Sequence, residues 1–314
     1  MKVLNALRSN GVLGINGRNA AYTLRWNPRR LYPMVDDKLR TKRLCEEAGI
    51  PVPRLIAYAG HHFEIKRMLG ALEGLDDFVL KPARGAMGNG IIVIHAREGD
   101  AFLRPGGRRV SLDDLRYHAG SIISGLYALG GHADAAMLEE RLVAHPILAA
   151  ISEEGAPDVR IVVFRGIPVM AMTRLPTRRS SGRANLHQGA VGAGVGLSSG
   201  RIEHAMVTYT PVERHPDSDR PLIGVEIPGF SRALEIAVRA TDETGLGYVG
   251  ADVVIDARLG PVILELNARP GLAIQVANQA GLLPRLRAVE EDFRPGLSVE
   301  ERIEMGRQIE RRAP

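Results

Sequence analysis

The sequence predicts an α+β protein built from two or three lobes. Its 314 residues are more than a single hydrophobic core usually covers, so the chain is expected to divide. Short apolar runs of strand character are mostly joined by hairpin turns, and segments of helical character flank them. This order favours α+β lobes over a doubly wound parallel sheet.

The composition is that of an ordinary globular protein, and it argues against several functional classes. Hydrophobic residues make up 45% and charged residues 25% of the chain. No run of 18 apolar residues occurs, and the N-terminus lacks the apolar stretch of a secretory signal. A net charge of +5 and an aromatic fraction of 4% argue against a nucleic-acid binder. Cys45 is the single cysteine, which excludes an internal disulfide and favours a cytoplasmic location.

The first part of the chain predicts an N-terminal segment and a first α+β lobe. Residues 1–36 lack a long periodic pattern and are expected to form an arm or a small subdomain. Helices are predicted over residues 37–48, 63–72 and 111–129, and strands over 54–60, 77–81 and 91–95. Gly49 ends the first helix and Ser111 can cap the last. This first lobe is expected to cover residues 37–135.

The second lobe is expected to cover residues 136–314. Strands are predicted over 136–143, 158–164, 169–175, 248–256 and 261–267, the last four as two hairpins. Residues 187–197 contain too many glycines to predict regular structure there. Ser231 is expected to cap a helix that ends at Gly245. Ser298 and Glu301 have the spacing of a capping box, which predicts a C-terminal helix.

A lysine followed by a glycine-rich loop is the first candidate functional motif. Lys81 ends a predicted strand, and Gly85, Gly88 and Gly90 follow before the next strand. Glycines let backbone N–H groups approach phosphate oxygens, and the lysine adds a positive charge. The order of these residues differs from that of a Walker A loop and of a protein kinase. The alternative is a flexible hairpin with a chance lysine.

Two carboxylates and an amide form the second candidate motif. Glu265 and Asn267 point to one face of a predicted strand, and Asp252 on the adjacent antiparallel strand can join them. These are hard oxygen ligands, of the kind that Mg²⁺ prefers when it also binds nucleotide phosphates. The alternative is a buried acidic pair neutralised by arginines, and Arg269 could serve in either case.

Two further sets of candidate binding residues give a weaker indication of function. Backbone groups of the segment containing Glu139, Glu140 and Leu142 could contact an adenine edge, although an ordinary edge strand is the alternative. Arginines that could bind carboxylate or phosphate groups form the other set. They occur with Asp158, Asn185 and His187, and comprise Arg160, Arg174, Arg178, Arg179 and Arg183. For Arg178 and Arg179 a solvated charged loop is the alternative.

Taken in order, these motifs resemble the ATP-grasp superfamily. The matching positions are Asp37-Lys38, Lys81 with its glycines, Glu139-Glu140, Asp158-x-Arg160 and Asp252 with Glu265-x-Asn267. Residues 183–189 and 265–271 are similar to the branch that contains the ribosomal-protein α-L-glutamate ligase. Residues 13–19 are similar to the alpha-L-glutamate ligase-like proteins of that branch. The resemblance covers roughly residues 35–285.

The resemblance implies an ATP-grasp fold in which two α+β lobes clamp ATP. Lys38, Lys81 and the three glycines would contact ATP, together with Glu139, Glu140, Leu142 and Asp158. Asp252, Glu265 and Asn267 would hold Mg²⁺ or Mn²⁺, with two ions expected. Arg160, Arg269, Arg183 and Asn185 would take part in catalysis. Arg174, Arg178 and His187 would contact the substrate.

The chemistry implied is ATP-dependent formation of an amide bond through an acyl phosphate. The substrates would be glutamate or another amino acid and an amine or peptide acceptor, with no nucleic acid and no membrane span. The oligomeric state stays open, a dimer being one option. Two alternatives remain, a small-molecule kinase on the same fold and a nucleotide-binding regulator without turnover.

This chain differs from the glutamate-ligase branch in three features that bear on the identity of the acceptor substrate. Glutamate ligases of this branch carry a full domain before the position of Asp37, where this chain has 36 residues. A shortened N-terminal segment is therefore expected in place of that domain. Arg269 stands where a small residue is usual, and residues 145–157 form a longer connection than usual.

Overall fold

The chain divides into two compact units of unequal size. The structure is a computed structural model, and it describes residues 9–85, 88–153 and 155–313. The smaller unit comprises Asp37–Leu39 and Pro53–Leu142. The larger unit comprises the described residues before Asp37, the segment Arg40–Val52 and the described residues from Val143 onwards.

Short helical pieces make up the described N-terminal segment, which belongs to the larger unit. They are α1 (Ile15–Gly17), a π-helix (Arg18–Thr23), α2 (Leu24–Trp26), a 3-10 turn (Arg29–Leu31) and α3 (Pro33–Asp36). Helix α4 (Lys38–Glu47) follows; it belongs to the larger unit from Arg40 onwards, whereas Lys38 and Leu39 belong to the smaller unit. Leu13 and Tyr22 are buried in the core of that unit. The Tyr22 ring packs edge-on against Phe164 at 5.3 Å between centroids. Residues 1–8, part of the predicted arm, lie outside the described ranges.

Residues 53–85 and 88–142, the main described part of the smaller unit, form two antiparallel sheets and two helices. Its strands are β1 (Leu55–Ala59), β2 (Phe78–Pro82), β3 (Ile92–Ile94), β4 (Ala96–Glu98), β5 (Ala101–Leu103), β6 (Arg109–Val110) and β7 (Ala136–Glu139). Its helices are α5 (Ile65–Gly70) and α6 (Leu112–Ile123), with 3-10 turns at His62–Glu64, Pro105–Gly107 and Leu129–Gly131. The sheets have the strand orders β1-β7-β2-β3 and β4-β5-β6. Phe78, Leu80 and Leu138 are fully buried between the first sheet and the helices.

Two predicted elements of the smaller unit are shorter than expected. Ser111 does cap α6, but the helix ends at Ile123 instead of near residue 129. Gly125 has φ 83° there, and a Cβ on it would lie 2.5 Å from the carbonyl oxygen of His132. The strand predicted over residues 136–143 ends at Glu139. That strand, β7, pairs with both β1 and β2, and the smaller unit extends to Leu142.

The larger unit is built on one seven-stranded antiparallel sheet. Its strands are β8 (Asp158–Phe164), β9 (Ile167–Leu175), β10 (Val191–Val195), β11 (Ile202–Val207), β12 (Thr210–Pro211), β13 (Tyr248–Asp256) and β14 (Gly260–Asn267). Its further helices are α7 (Pro146–Ala150), α8 (Phe230–Thr244), α9 (Ala273–Asn278), α10 (Leu283–Asp292) and α11 (Val299–Arg312), with a 3-10 turn at Leu186–Gln188. The strand order is β12-β11-β10-β9-β8-β13-β14. Both predicted hairpins, β8–β9 and β13–β14, are present.

The two faces of this sheet pack against different helices. Because side chains alternate along a strand, Val249, Ala251 and Val253 of β13 pack on the side of α8. Tyr248 of the same strand packs on the opposite side, in a second core with Phe164. Asp252 lies on this opposite side too, beyond the apolar part of the face.

Two predictions for the larger unit are corrected. Residues 191–195 form a fully buried strand instead of irregular structure, because the absence of side chains on Gly192 and Gly194 lets neighbouring elements approach the backbone. The helix expected to be capped by Ser231 begins at Phe230, with Gly229 at the N-cap position. The C-terminal helix does begin at the predicted capping box of Ser298 and Glu301. No helix within the described ranges is long and apolar enough to cross a membrane.

Candidate functional site

A buried ion pair lies at the start of the glycine loop in the smaller unit. Lys81 is the last residue but one of β2, and its Nζ lies 2.5 Å from Oε2 of Glu139 on the adjacent strand β7. The two side chains are only 6% and 4% exposed. The sequence analysis assigned Lys81 to phosphate groups and the segment of Glu139 to the adenine edge. In the structure the two side chains contact each other. Their pairing keeps both buried charges compensated.

The glycine loop is fixed at its first residue by Lys38. The Nζ of Lys38 donates to the carbonyl oxygen of Gly85 at 2.7 Å, and its backbone N–H donates to Ala83 at 2.9 Å. Gly88 and Gly90 have φ angles of 73° and 77°, which favour glycine. Residues 86 and 87 of the predicted loop lie outside the described ranges.

Arg84 and Asp134, two residues outside the predicted site, support this loop together with Asp37. Arg84 donates through Nε and Nη2 to Oδ2 of Asp37, at 3.3 and 3.2 Å. The backbone N–H of Arg84 donates to both carboxylate oxygens of Asp134 at 3.0 Å. Asp134 is 50 positions away in sequence, so no local pattern indicates it.

The remaining candidates of the smaller unit lie where β7 ends. The backbone N–H of Glu140 donates to the carbonyl oxygen of Arg54 at 3.0 Å, although β7 itself ends one residue earlier. The Glu140 carboxylate is 4.0 Å from Arg54 Nε. Leu142 is half-buried. Arg141 between them pairs with Asp77 at 3.0 Å.

Three neighbouring strands of the larger unit bring together two arginines and two aspartates. Register pairs Asp252 on β13 with Arg160 on β8, and Asp158 on β8 with Arg174 on β9. Arg160 donates to both oxygens of Asp252, from Nε at 2.7 Å and from Nη2 at 2.6 Å. Arg174 donates in the same bidentate way to Asp158, with both distances 2.6 Å.

Arg174 also links the two pairs. Its Nη2 donates to Oδ2 of Asp252 at 2.8 Å, in addition to its bonds with Asp158. Asp252 is completely buried, and the side chains of Arg160 and Arg174 are 12% and 13% exposed. The four groups, two carboxylates and two guanidiniums, form one hydrogen-bonded and electrically balanced cluster.

Electrostatics within this cluster keep Asp252 ionised. Burial by itself raises the pKa of Asp252, but Arg160 and Arg174 outweigh it and hold the pKa well below that of an ordinary aspartate. Burial raises the pKa of Asp158 to about 6, against the opposing effect of Arg174. Burial disfavours the charge on Arg174, yet Asp158 and Asp252 raise its pKa and keep it protonated.

The predicted metal-binding side chains converge on the β13–β14 hairpin. Asp252 lies directly across from Glu265, and Nδ2 of Asn267 is 3.4 Å from an oxygen of each carboxylate. Within the described part of the chain, no group of three or more His, Cys, Asp or Glu side chains is placed to hold a metal ion. Two carboxylates and an amide still fit Mg²⁺, which completes its octahedral coordination with water and phosphate oxygens.

Both interpretations of this acidic pair therefore find support in the geometry. Arg160 and Arg174 neutralise Asp252, as expected for a buried acidic residue paired with arginines. Asp252 also lies beside Glu265 and Asn267, as expected for a metal site. The amide nitrogen of Asn267 faces the two carboxylates, and a half-turn of the amide would present its oxygen in that place.

The other candidates of the larger unit lie in the loop between β9 and β10. The Oδ1 of Asn185 accepts from the backbone N–H of His187 at 3.0 Å, and so caps a 3-10 turn. Arg183 and His187 are exposed. Arg178 is exposed too, with its Nε 3.3 Å from Glu153. These side chains belong to an ordered surface loop, and the Asp252 cluster does not include them.

Arg269 lies just after β14 and is exposed. Its guanidinium carbon is 5.5 Å from the centre of the Tyr32 ring, a cation–π arrangement. The backbone around it is held by Arg18, whose Nη1 donates to the carbonyl oxygen of Pro270 at 2.9 Å.

Comparison with known proteins gives consistent matches. A family model described as sugar-transfer associated ATP-grasp matches residues 17–291. The chain is similar to a "Probable alpha-L-glutamate ligase" of Halorhodospira halophila, with 26% identity over 264 residues, or 83% of this chain and 65% of that protein. It is also similar to the ribosomal protein bS6–L-glutamate ligase of Salmonella paratyphi B, with 25% identity over 236 residues, or 75% and 56% of the two chains.

Solved structures give a weaker match. The chain is similar to a D-cycloserine synthetase with a TM-score of 0.46 and 14% identity, over 84% of this chain and 72% of that one. The chain spans just under two thirds of the length of the Halorhodospira relative and a little over half of the Salmonella one.

Proposed function

Because the chain belongs to the sugar-transfer associated ATP-grasp family, we propose that it is an ATP-dependent carboxylate–amine ligase. The family match agrees with the ATP-grasp resemblance that the sequence predicted. The observation that carries the proposal is the convergence of Asp252, Glu265 and Asn267 beside Arg160. This arrangement offers oxygen ligands for a divalent cation, as phosphoryl transfer from ATP requires.

The proposed reaction has two steps. An oxygen of a substrate carboxylate attacks the γ-phosphorus of ATP, the bond to ADP breaks, and an acyl phosphate forms. The nitrogen of an amine then attacks the acyl carbon, inorganic phosphate leaves, and the nitrogen loses a proton to give the amide. This route requires no nucleophile from the protein.

The residues of the chain would bind and orient the reactants. Asp252, Glu265 and Asn267 would hold Mg²⁺ or Mn²⁺, which neutralises charge on the transferring phosphoryl group when it is bound. Arg160, which is tied to Asp252, would remain a fixed positive charge beside the metal ligands. The proposed ATP-binding residues are Lys38, Lys81, Gly85, Gly88, Gly90, Glu139, Glu140, Leu142 and Asp158. Arg183, Asn185 and Arg269 are proposed to contact the reacting groups, and Arg178 and His187 the substrate.

We propose L-glutamate as the amino acid and an amine or peptide as the acceptor. The support is that both curated relatives are named as L-glutamate ligases, one of them acting on a ribosomal protein. Four of the exposed basic side chains of the loop and of the segment after β14, which also include Arg179, are proposed to bind anionic substrates. They are Arg178, Arg183, His187 and Arg269.

The test is phosphate release from ATP and Mg²⁺ in the presence of L-glutamate and a panel of amine and peptide acceptors, with mass spectrometry of each mixture. We expect release that depends on both substrates and a product heavier than the acceptor by one glutamate residue. Asp252→Asn and Glu265→Gln should each slow turnover by about 100-fold or more, because even outer-shell partners of a metal contribute about 10- to 100-fold.

Glu226→Gln is the matched control. Glu226 pairs with Arg201 on the surface of the same unit, and its loss should leave turnover unchanged. A product heavier by a phosphate group, formed without an amine, would replace the ligase with a kinase. Nucleotide binding without turnover on any acceptor would favour a regulator.

A further inference from the structure

We propose that Arg174 is a positioning residue that fixes the Asp252 carboxylate for divalent-metal binding, and that it does not bind the substrate. This inference rests on the metal site of the proposed function. The sequence assigned Arg174 to substrate contact because an arginine fork suits carboxylates and phosphates. The structure gives that fork two partners within the protein.

Three of the five N–H donors of the Arg174 guanidinium bind carboxylates of the protein. Nε and one N–H of Nη2 bind Asp158, and the other N–H of Nη2 binds Asp252, at 2.6, 2.6 and 2.8 Å. A guanidinium can grip an anion with two bonds through its Nε–Nη2 edge or its Nη1–Nη2 edge. Both edges need a hydrogen of Nη2, and both of those hydrogens are engaged. Arg174 would therefore have to release Asp158 or Asp252 before it could hold a substrate in a bidentate way.

The same bonds fix the orientation of Asp252. Three arginine bonds hold its two oxygens at 2.6–2.8 Å, two from Arg160 and one from Arg174. Oδ2 accepts two of these bonds and Oδ1 accepts one, so of the carboxylate's roughly four lone-pair sites the one without an arginine partner is on Oδ1. Nδ2 of Asn267 lies 3.4 Å from Oδ2, and Glu265 also hydrogen-bonds to the Asp252 carboxyl group; both residues belong to the proposed metal site. The three arginine bonds therefore fix the Asp252 carboxylate beside Asn267 and Glu265.

Asp158 acts on the proposed metal site indirectly, through Arg174. It anchors Arg174 through Nε and Nη2 of the guanidinium, and its own backbone oxygen accepts from the Thr173 hydroxyl at 3.0 Å. Arg174 and Asp252 are 78 positions apart, and the sheet register of β8, β9 and β13 brings them together. We infer that Asp158 fixes the orientation of Arg174, and that Arg174 in turn fixes the orientation of the Asp252 carboxylate.

The test measures Mn²⁺ binding to the purified full-length chain by electron paramagnetic resonance, without nucleotide. Arg174→Met should weaken Mn²⁺ binding by about 10- to 100-fold, the usual effect of losing an outer-shell partner. Arg174→Lys should restore only part of the affinity, because a lysine ammonium keeps the charge but cannot reproduce the planar fork. Arg201→Met removes an exposed arginine of the same unit that pairs with Glu226, and should bind Mn²⁺ like the wild type.

Unchanged Mn²⁺ affinity in Arg174→Met, with a raised KM for the amino acid or the acceptor, would overturn the inference and restore Arg174 to the substrate site. Unchanged affinity with only a lowered melting temperature would overturn it in favour of a purely structural role. If Arg174→Met does not fold, Asp158→Asn combined with Arg174→Met removes one charge of each sign, and we expect the same weakening from it. A wild-type chain that binds no Mn²⁺ would instead overturn the proposed metal site itself.

Discussion

Asp252 and Asp256 lie four residues apart on β13, and both carboxylates are buried, yet they are stabilised by different donors. Asp252 is neutralised by the guanidiniums of Arg160 and Arg174. Asp256 accepts from the backbone N–H groups of Val143, Arg258 and Leu259, at 2.6, 2.8 and 2.9 Å. Backbone donors are thus the nearest partners of Asp256, which also lies 3.7 Å from Nε of Arg258.

We expect Asp256→Asn to lower the free energy of unfolding by about 1–3 kcal/mol, because three backbone donors lose a charged acceptor. Burial opposes ionisation, but those donors hold the pKa of Asp256 below its ordinary value. The stabilisation is therefore fully present above the unfolded pKa of about 3.9, and is lost as the pH falls through the lower folded pKa.

Urea unfolding of wild type and Asp256→Asn at pH 6 and at about pH 3 checks this. The difference between the two proteins should be largest at pH 6 and should shrink at the lower pH. Asp219→Asn, which changes an exposed carboxylate of the same unit paired with Arg214, should have little effect at either pH. A difference that grows on acidification would contradict the assignment.

At the scale of elements, β10 shows how a strand can depend on having few side chains. Its five residues are buried between β9 and β11, and α9 packs against it. A Cβ on Gly194 would lie 2.7 Å from the carbonyl oxygen of Ala277 and 2.8 Å from Cα of Asn278. These are backbone atoms of α9, so they cannot rotate aside. The glycines that made this segment look irregular are what allow the helix to approach.

We expect Gly194→Ala to destabilise the larger unit by about 1–3 kcal/mol, the usual cost of overpacking a core. Chemical denaturation followed by circular dichroism measures this. Gly14→Ala is the matched control, because φ is −81° at that glycine and no atom lies within 4 Å of its added Cβ. Equal losses in the two variants would show that the approach of α9 is not the cause.

At the scale of the whole molecule, the N-terminal segment is part of the larger unit's core. Asn27 joins the segment to the sheet. Its Nδ2 donates to the backbone carbonyl oxygens of Tyr248 and Ala268, at 2.7 and 2.8 Å. Its Oδ1 accepts from the N–H of Tyr248 at 2.9 Å. Leu13 makes a similar connection, because its N–H donates to the side chain of Gln275 at 2.7 Å.

We expect Asn27→Ala to lower the free energy of unfolding by about 3 kcal/mol, because three buried backbone groups lose their partner. Thermal and chemical unfolding of the full chain provide the measurement. Asn19→Ala, on the same segment, removes a side chain that binds the adjacent Arg18 and should cost much less. A small effect at Asn27 would mean that the segment is dispensable for the core.

Much of the chain could be predicted because the relevant signals are local. Side-chain alternation and turn residues indicated the β8–β9 and β13–β14 hairpins, and alternation placed Glu265 and Asn267 on one face. The capping-box spacing indicated where the last helix begins. The order of the motifs along the chain was enough to indicate the ATP-grasp family.

Other features were decided by partners distant in sequence. Arg174 looks the same in sequence whether it binds a substrate or Asp252, which is 78 positions away. Glycine content cannot distinguish a loop from a strand that a helix must approach closely, and strand 136–139 reveals its unit only through its pairing with β1 and β2. Sequence patterns report the local preferences of the backbone, whereas the partners of a buried charge or strand depend on which distant segments the folded chain brings into contact.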